Sequence, residues 1–179
     1  MAVQTPDPNP GWLSDEDLAD ARSKLPILYV EAVPVRLDGM GQVQEVGVLL
    51  RVNPSGEMSR ALVAGRVMLG ESVRDALFRH VEKDLGPMAF PQLPASPNPF
   101  FVAEYHQIPG QGLLHDSRQH AVSLCFIVPV TGTCDPRQDA LELTWVSPEV
   151  AAGELFSQEM EGGRGTVVRA ALAHLGALR

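Results

Sequence analysis

The length, composition and charge of the chain exclude several classes of protein. Its 179 residues are 45% hydrophobic and 20% charged, which suits one globular domain and argues against wholesale disorder. The formal net charge of −8, without a long basic run, argues against broad nucleic-acid binding. Two cysteines, Cys125 and Cys134, cannot build a disulfide framework, and Cys125 lies in an apolar run typical of a core strand.

The amino-terminal segment predicts a tail followed by a helix. Residues 1–11 are rich in proline and polar residues, so we expect a flexible tail before a single domain over residues 12–179. Ser14 is a typical N-cap residue, and the helix should run from Asp15 to Lys24, where Pro26 prevents its continuation. The first residues lack the pattern of a signal peptide, and no apolar run reaches about 18 residues. We therefore expect a soluble, cytoplasmic protein without a membrane segment.

β-Branched and apolar runs bounded by turn residues predict a set of strands. These strands are expected at residues 27–37, 42–52, 60–65, 100–108, 120–130 and 141–147. Residues 91–99 are a proline-rich connection, and residues 166–175 have the spacing of a helix. Helices distributed around a mixed β-sheet indicate an α/β or α+β sandwich.

A glycine loop leads into a second helix in residues 61–88, "ALVAGRVMLGESVRDALFRHVEKDLGPM". Ser72 can cap this helix, apolar residues recur every four positions from Val73, and Gly86 ends it. The opposite edge of the helix should face solvent or a ligand.

The loop and helix together resemble the box of the Nudix hydrolase superfamily. The matching positions, in register over residues 65–86 without a gap, are Gly65, Glu71, Arg79, Val81, Asp84 and Gly86. "LELTWVSPEVA" at 141–151 resembles the late Nudix strand, with Trp145 expected to pack at its end. "HDSRQHAVSLCF" at 115–126 more weakly resembles a segment of Nudix proteins that handle ADP-ribose-like compounds. The resemblance implies a Nudix-like α/β/α sandwich that cleaves a diphosphate bond in a nucleoside diphosphate derivative with Mg²⁺ or Mn²⁺.

The chain departs from the box at two of its three metal-ligand positions. His80 and Lys83 stand where the resemblance implies glutamates, and only Asp84 keeps a carboxylate. A lysine ammonium about 6 Å from a divalent ion would be repelled by roughly 5 kcal/mol at an effective dielectric constant of about 20. Glu71, His80 and Asp84 are the predicted catalytic and metal-binding set. Alternatively, His80 and Asp84, which share one helix face, form only a surface hydrogen bond.

The remaining candidates divide into ligand-binding and structural residues. Lys83 is either a direct phosphate ligand or a solvated lysine. With Lys83, the predicted ligand- and phosphate-binding residues are Gly65, Arg66, Glu104 and Arg118. Arg79, which can pair with Glu71 or Asp75, and Gly86 are predicted structural members of the box. Polar clusters that could face a ligand comprise Glu104, Tyr105, His106, His115, Asp116, Arg118 and His120.

Three functional hypotheses remain open from the sequence. The first is a divergent Nudix-type phosphohydrolase with an altered metal edge. The second is a catalytically inactive domain that binds a small nucleotide-like ligand or has a regulatory role. The third is a structural partner domain, since Nudix-like proteins often dimerise, and a homodimer is compatible with all three. No P-loop, Rossmann glycine pattern or serine-nucleophile elbow occurs.

Overall fold

A computed structural model of the chain describes residues 12–53, 55–136 and 140–178. The predicted flexible tail, residues 1–11, lies outside the described residues. Within the described ranges, no helix combines the length and apolar character needed to cross a membrane.

The described residues form five α-helices and eight strands. The helices are α1 (Asp15–Lys24), α2 (Val73–Leu85), α3 (Pro148–Ala152), α4 (Glu154–Glu159) and α5 (Gly165–His174). The strands are β1 (Ile27–Leu37), β2 (Val43–Val52), β3 (Met58–Ala61), β4 (Val63–Arg66), β5 (Phe101–His106), β6 (Leu114–His115), β7 (Ala121–Pro129) and β8 (Ala140–Val146). A short 3₁₀ turn, Glu161–Gly163, precedes α5.

The sheet is mixed, as predicted. Its main path has the order β3-β2-β1-β7-β5-β6, with β4 paired to β1 and β8 paired to β2. β1 runs parallel to β7, from the pair Ile27 and Ala121 to the pair Val35 and Pro129, whereas β1 and β2 are antiparallel. The two additional pairings, of β4 with β1 and of β8 with β2, curl the sheet.

The strand predicted at residues 60–65 is two strands in the structure. Residues up to Ala61 pair with β2, and residues from Val63 pair with β1, so the chain changes partner at the buried Leu62. An uninterrupted apolar pattern does not indicate such a change of partner. The short elements β6, α3 and α4 were not predicted either, because each is too short to display a periodic pattern.

Hydrophobic cores lie on both sides of the sheet, so the predicted sandwich with a mixed sheet is confirmed. One core packs α3 and α5 against β1, β2, β5 and β7, and it contains Cys125, which is a core residue as expected. The other core packs the buried stripe of α2, including Leu77 and Val81, against the opposite face of the sheet. Trp145 packs against this second core, with the guanidinium of Arg36 4.5 Å from the centre of its ring.

Candidate functional site

Both ends of α2 are fixed by local interactions that the sequence predicted. The Ser72 hydroxyl accepts a hydrogen bond from the Asp75 backbone N–H at 3.1 Å and donates one to the Asp75 carboxylate at 2.7 Å. At the other end, Gly86 has a φ of 90°, in the left-handed region that favours glycine. These caps set which residues of α2 face the glycine loop between β4 and the helix.

Glu71, in that loop, is held by Arg79 of α2. Arg79 donates from Nε to Oε1 of Glu71 at 2.7 Å and from Nη2 to Oε2 at 2.9 Å. The backbone N–H of Met68 also donates to Oε2. The hydrogen bonds from Arg79 are the main reason that the pKa of Glu71 is lowered. Of the two partners expected for Arg79, the structure therefore shows Glu71, and both of its carboxylate oxygens are engaged.

His80 packs against the glycine loop. Its Nε2 lies 3.0 Å from the carbonyl oxygen of Arg66, and its ring covers Gly65 so closely that a Cβ at Gly65 would overlap the imidazole. Burial lowers the pKa of His80, which keeps the ring neutral at pH 7. The absence of a side chain at Gly65 therefore makes room for His80.

Asp84 is completely buried between two cationic side chains. Its Oδ2 lies 2.5 Å from Nη2 of Arg51, which reaches it from β2, and its Oδ1 lies 3.3 Å from Nζ of Lys83. The formal charges of Arg51, Lys83 and Asp84 sum to +1. Of the three metal-ligand positions of the box, only Asp84 keeps a carboxylate, and positively charged side chains of the protein surround it.

A cavity of about 500 Å³ opens beside these groups, and we call it the basic cavity. Four basic side chains line it, together with one acidic side chain and one aromatic ring. These residues are Arg51, Lys83, Arg118, Arg164, Glu161 and Tyr29. Gly65 and His80 also contribute to the wall. Of the residues predicted to bind ligand or phosphate, Gly65, Lys83 and Arg118 therefore meet at one cavity.

Arg118 and Arg164 are each oriented by a buried carboxylate. Arg118 donates to Asp116 from Nε and Nη2, both at 2.9 Å, and Arg164 donates from Nε to Oε1 of Glu31 at 2.7 Å. Tyr105, from the predicted polar cluster, donates to Oε2 of Glu31 at 2.8 Å and is itself buried. The guanidinium groups consequently have fixed positions before a ligand enters.

The other predicted residues lie away from the lining of the basic cavity. Glu104 is on β5, where its Oε1 lies 2.8 Å from Nε2 of His120. His115 places its Nε2 3.1 Å from the carbonyl oxygen of Gln107. Arg66 is the last residue of β4 and Glu71 lies in the glycine loop, and neither is among the lining residues of the cavity.

Several cavity residues were missed by sequence reasoning. Arg51 follows an apolar run in β2, and Arg164 precedes the last helix, so neither belongs to a recognisable motif. The sequence did contain one signal for Arg164, which is Glu31 in the middle of the apolar strand β1. A carboxylate buried at such a position needs a cationic partner, and that partner is Arg164.

The comparisons with known proteins agree with this fold. The sequence matches the model of a family described as Domain of unknown function (DUF4916) over residues 8–177. No curated protein matches the chain. A crystal structure from Jonesia denitrificans, described as a possible asymmetric diadenosine tetraphosphate (Ap4A) hydrolase, is 56% identical with a TM-score of 0.83. That match covers 87% of this chain and 98% of the other.

Two more distant structures are similar in fold. The NUDIX domain of Shewanella oneidensis NrtR, solved with ADP-ribose, is 15% identical with a TM-score of 0.62, over 91% of this chain and 99% of that domain. A MutT protein from Methanosarcina mazei is 18% identical with a TM-score of 0.60, over 84% of this chain and 97% of that chain. At these identities the likeness establishes the fold alone, and it confirms the predicted Nudix-like sandwich.

Proposed function

Since the chain belongs to the DUF4916 family and has a Nudix-like fold, we propose that it binds a nucleoside diphosphate derivative in the basic cavity. The observation that carries the proposal is the contact of Arg51 and Lys83 with Asp84. In the Nudix proteins that the chain resembles, carboxylates of the box bind a divalent metal, and the metal binds the diphosphate. In this protein Arg51, Lys83 and Asp84 give the corresponding position a net formal charge of +1. The two cationic side chains can bind phosphate oxygens directly.

The rest of the cavity suits an anionic ligand with an aromatic or ribosyl part. Arg118 and Arg164 are held in place by Asp116 and Glu31, so little side-chain freedom is lost when they bind phosphate. Tyr29 offers the aromatic ring in the lining. Lys83, whose side chain is partly exposed, can turn from Asp84 to a ligand while Arg51 remains paired with the carboxylate.

The predicted metal set does not fit an octahedral Mg²⁺ site in this arrangement. Mg²⁺ prefers oxygen ligands, but His80 offers nitrogen, and its Nε2 lies against the Arg66 carbonyl. Both oxygens of Glu71 accept hydrogen bonds from Arg79, and Asp84 is enclosed by two cations. A metal bound through Glu71, His80 and Asp84 would compete with these contacts. The proposed binding does not include a metal.

Metal-dependent hydrolysis is the second candidate function. It is favoured by the 56% identity to the Jonesia denitrificans protein described as a possible Ap4A hydrolase. This alternative keeps the same ligand class and the same cavity, and it requires Mg²⁺ or Mn²⁺ to rearrange the contacts around Asp84. The two candidates therefore differ in the metal requirement and in whether products form.

Calorimetric titration of ADP-ribose and of Ap4A into the protein tests both candidates. Each titration is performed in EDTA and in Mg²⁺ or Mn²⁺, and the mixtures are then separated chromatographically to detect cleavage. We expect binding in EDTA without products. Lys83→Met should weaken binding by roughly 10- to 100-fold, the value of a lost charge-assisted contact.

The matched control is Lys24→Met, which removes an exposed lysine of α1 that pairs only with Asp20 among the ion pairs described. It should leave the affinity unchanged. Binding that appears only with metal, accompanied by products that vanish in Asp84→Ala, would favour hydrolysis over the proposal. Absence of binding to either compound under all conditions would contradict both candidates for these ligands.

A further inference from the structure

A second cluster of potential ligand atoms lies on the edge of the sheet, away from the basic cavity. β5 and β7 are antiparallel, and Tyr105 pairs with Ala121. The same register continued by one residue places His106 opposite His120, the residue immediately before β7. Because side chains alternate between faces, Glu104 projects from the same face as His106. Pairing of these two strands therefore brings Glu104, His106 and His120 together.

The atoms that could bind a metal are close to one another. Nε2 of His120 lies 2.8 Å from Oε1 of Glu104, and Nε2 of His106 lies 3.7 Å from the same oxygen. The two imidazole rings are stacked with their centres 5.0 Å apart. Tetrahedral ligands with bonds of about 2.0–2.1 Å to Zn²⁺ lie about 3.3 Å from each other. These two separations lie on either side of that value, and all three donor atoms lie within 4.8 Å of one another, so binding would require side-chain rotations but no movement of the strands.

The nitrogen and oxygen donors select the kind of metal. Two imidazoles and one carboxylate suit Zn²⁺, whereas Mg²⁺ and Ca²⁺ prefer oxygen donors alone. We propose that Glu104, His106 and His120 bind Zn²⁺ on this face of β5 and β7, with water as the fourth ligand. Within the described residues, this is the one group of three or more histidine, cysteine or acidic side chains with donor atoms this close together.

The surroundings of the cluster are closed on one side and open on the other. A Cβ at Gly112 would come within 2.5 Å of Cδ2 of His106, so the segment before β6 lies directly against that ring. The side chain of His106 is accordingly 18% exposed, while those of His120 and Glu104 are 37% and 55% exposed. The ring of His106 is thus held in position, and the open side can admit the ion and its water.

The site is independent of the proposed nucleotide binding. None of its three residues lines the basic cavity, and they lie on the sheet face opposite Tyr105, which contacts Glu31. His120 nevertheless follows directly after the segment that contains Arg118, which lines the cavity, and Asp116, which orients Arg118. A bound Zn²⁺ would fasten the end of this segment to β5.

The test is calorimetric titration of ZnCl₂ into EDTA-treated, dialysed protein that carries no histidine tag. We expect one Zn²⁺ per chain, and no comparable heat with MgCl₂. His106→Gln/His120→Gln should weaken Zn²⁺ binding at least 100-fold, and Glu104→Gln at least tenfold. Zn²⁺ should raise the melting temperature of the wild type and leave that of the double variant unchanged.

Two further variants make the result specific to this cluster. His115→Gln, the matched control, removes a nearby histidine that faces the Gln107 carbonyl, and it should bind Zn²⁺ as the wild type does. Gly112→Ala displaces the His106 ring without removing a ligand, and it should weaken binding. Undiminished binding in the double variant, or absence of wild-type binding at Zn²⁺ concentrations near a millimolar, would overturn the proposal. Circular dichroism verifies that each variant is folded.

Discussion

Nη2 of Arg51, on β2, lies 2.5 Å from Oδ2 of Asp84, on α2, and Asp84 is completely buried. The pair connects the sheet to the helix that carries the box. Loss of one partner from a buried ion pair leaves a charge without compensation, which commonly costs about 3–5 kcal/mol. Replacement of both partners by apolar residues avoids that cost.

We therefore expect Arg51→Met to lower the free energy of unfolding by about 3 kcal/mol, since Lys83 still contacts Asp84. The double variant Arg51→Met/Asp84→Leu should be destabilised less than the sum of the two single variants. Urea unfolding measures all three free energies, with Lys24→Met as the control. Additive effects within about 0.5 kcal/mol would show that the two side chains are not coupled.

A second buried pair should be equally sensitive. Arg164 donates to Glu31 at 2.7 Å, and both residues are buried, so Arg164→Met should cost about 3–5 kcal/mol. Tyr105→Phe removes one hydrogen bond to the same carboxylate and should cost about 1.5 kcal/mol. Arg169→Met, which removes an exposed arginine of α5, provides the control in urea unfolding. If Arg164→Met were no more destabilising than this control, the pair would contribute little to stability.

Local patterns in the sequence were sufficient to predict most helices and strands of the fold. The caps Ser14 and Ser72 and the terminating Gly86 gave the limits of α1 and α2, because capping depends on residues within one turn. The long strands β1 and β7 were likewise predicted from continuous apolar runs. The resemblance to the Nudix box added the α/β/α arrangement, whereas the order of the strands in the sheet was not predicted.

The candidate site could be predicted only in part. Gly65, Lys83 and Arg118 were identified as ligand-facing residues and do line the basic cavity. The repulsion between Lys83 and a metal was estimated from the sequence, although a metal set was still predicted. The contribution of Arg51 was not predicted, because strand pairing and helix packing bring it to Asp84 from a distant part of the sequence. The same reason applies to Arg164 and Glu31. Contacts of this kind depend on tertiary structure and leave no periodic signal.

Asp116 provides a prediction about pH. Burial alone would raise the pKa of Asp116, but donors on Arg118 and Gln119 outweigh burial, and the pKa is lowered from its ordinary value of 3.8. The unfolded chain therefore binds a proton at higher pH than the folded chain does. The stabilisation from ionised Asp116 is complete well above pH 3.8 and is lost as the pH falls through the folded pKa.

Asp116→Asn removes this contribution at every pH. Near pH 7 the variant should be less stable than the wild type by about 1–3 kcal/mol, and the difference should shrink below pH 3.8. Urea unfolding of both proteins between pH 7 and pH 3 measures this difference. Asp20→Asn, at an exposed carboxylate, serves as the control. A difference that stays constant over the whole range would contradict the lowered pKa.

The contact between Gly65 and His80 can be tested by a double-mutant cycle. A Cβ at Gly65 would overlap the His80 imidazole, so Gly65→Ala must displace a buried ring and should cost about 1–3 kcal/mol. The three atoms nearest to that Cβ all belong to the His80 ring, so the same change in a His80→Ala background should cost much less. Gly39→Ala is the matched control, because a Cβ there contacts nothing. Urea unfolding of the four proteins gives the coupling energy, and a coupling below about 0.5 kcal/mol would mean that His80 does not occupy the space above Gly65.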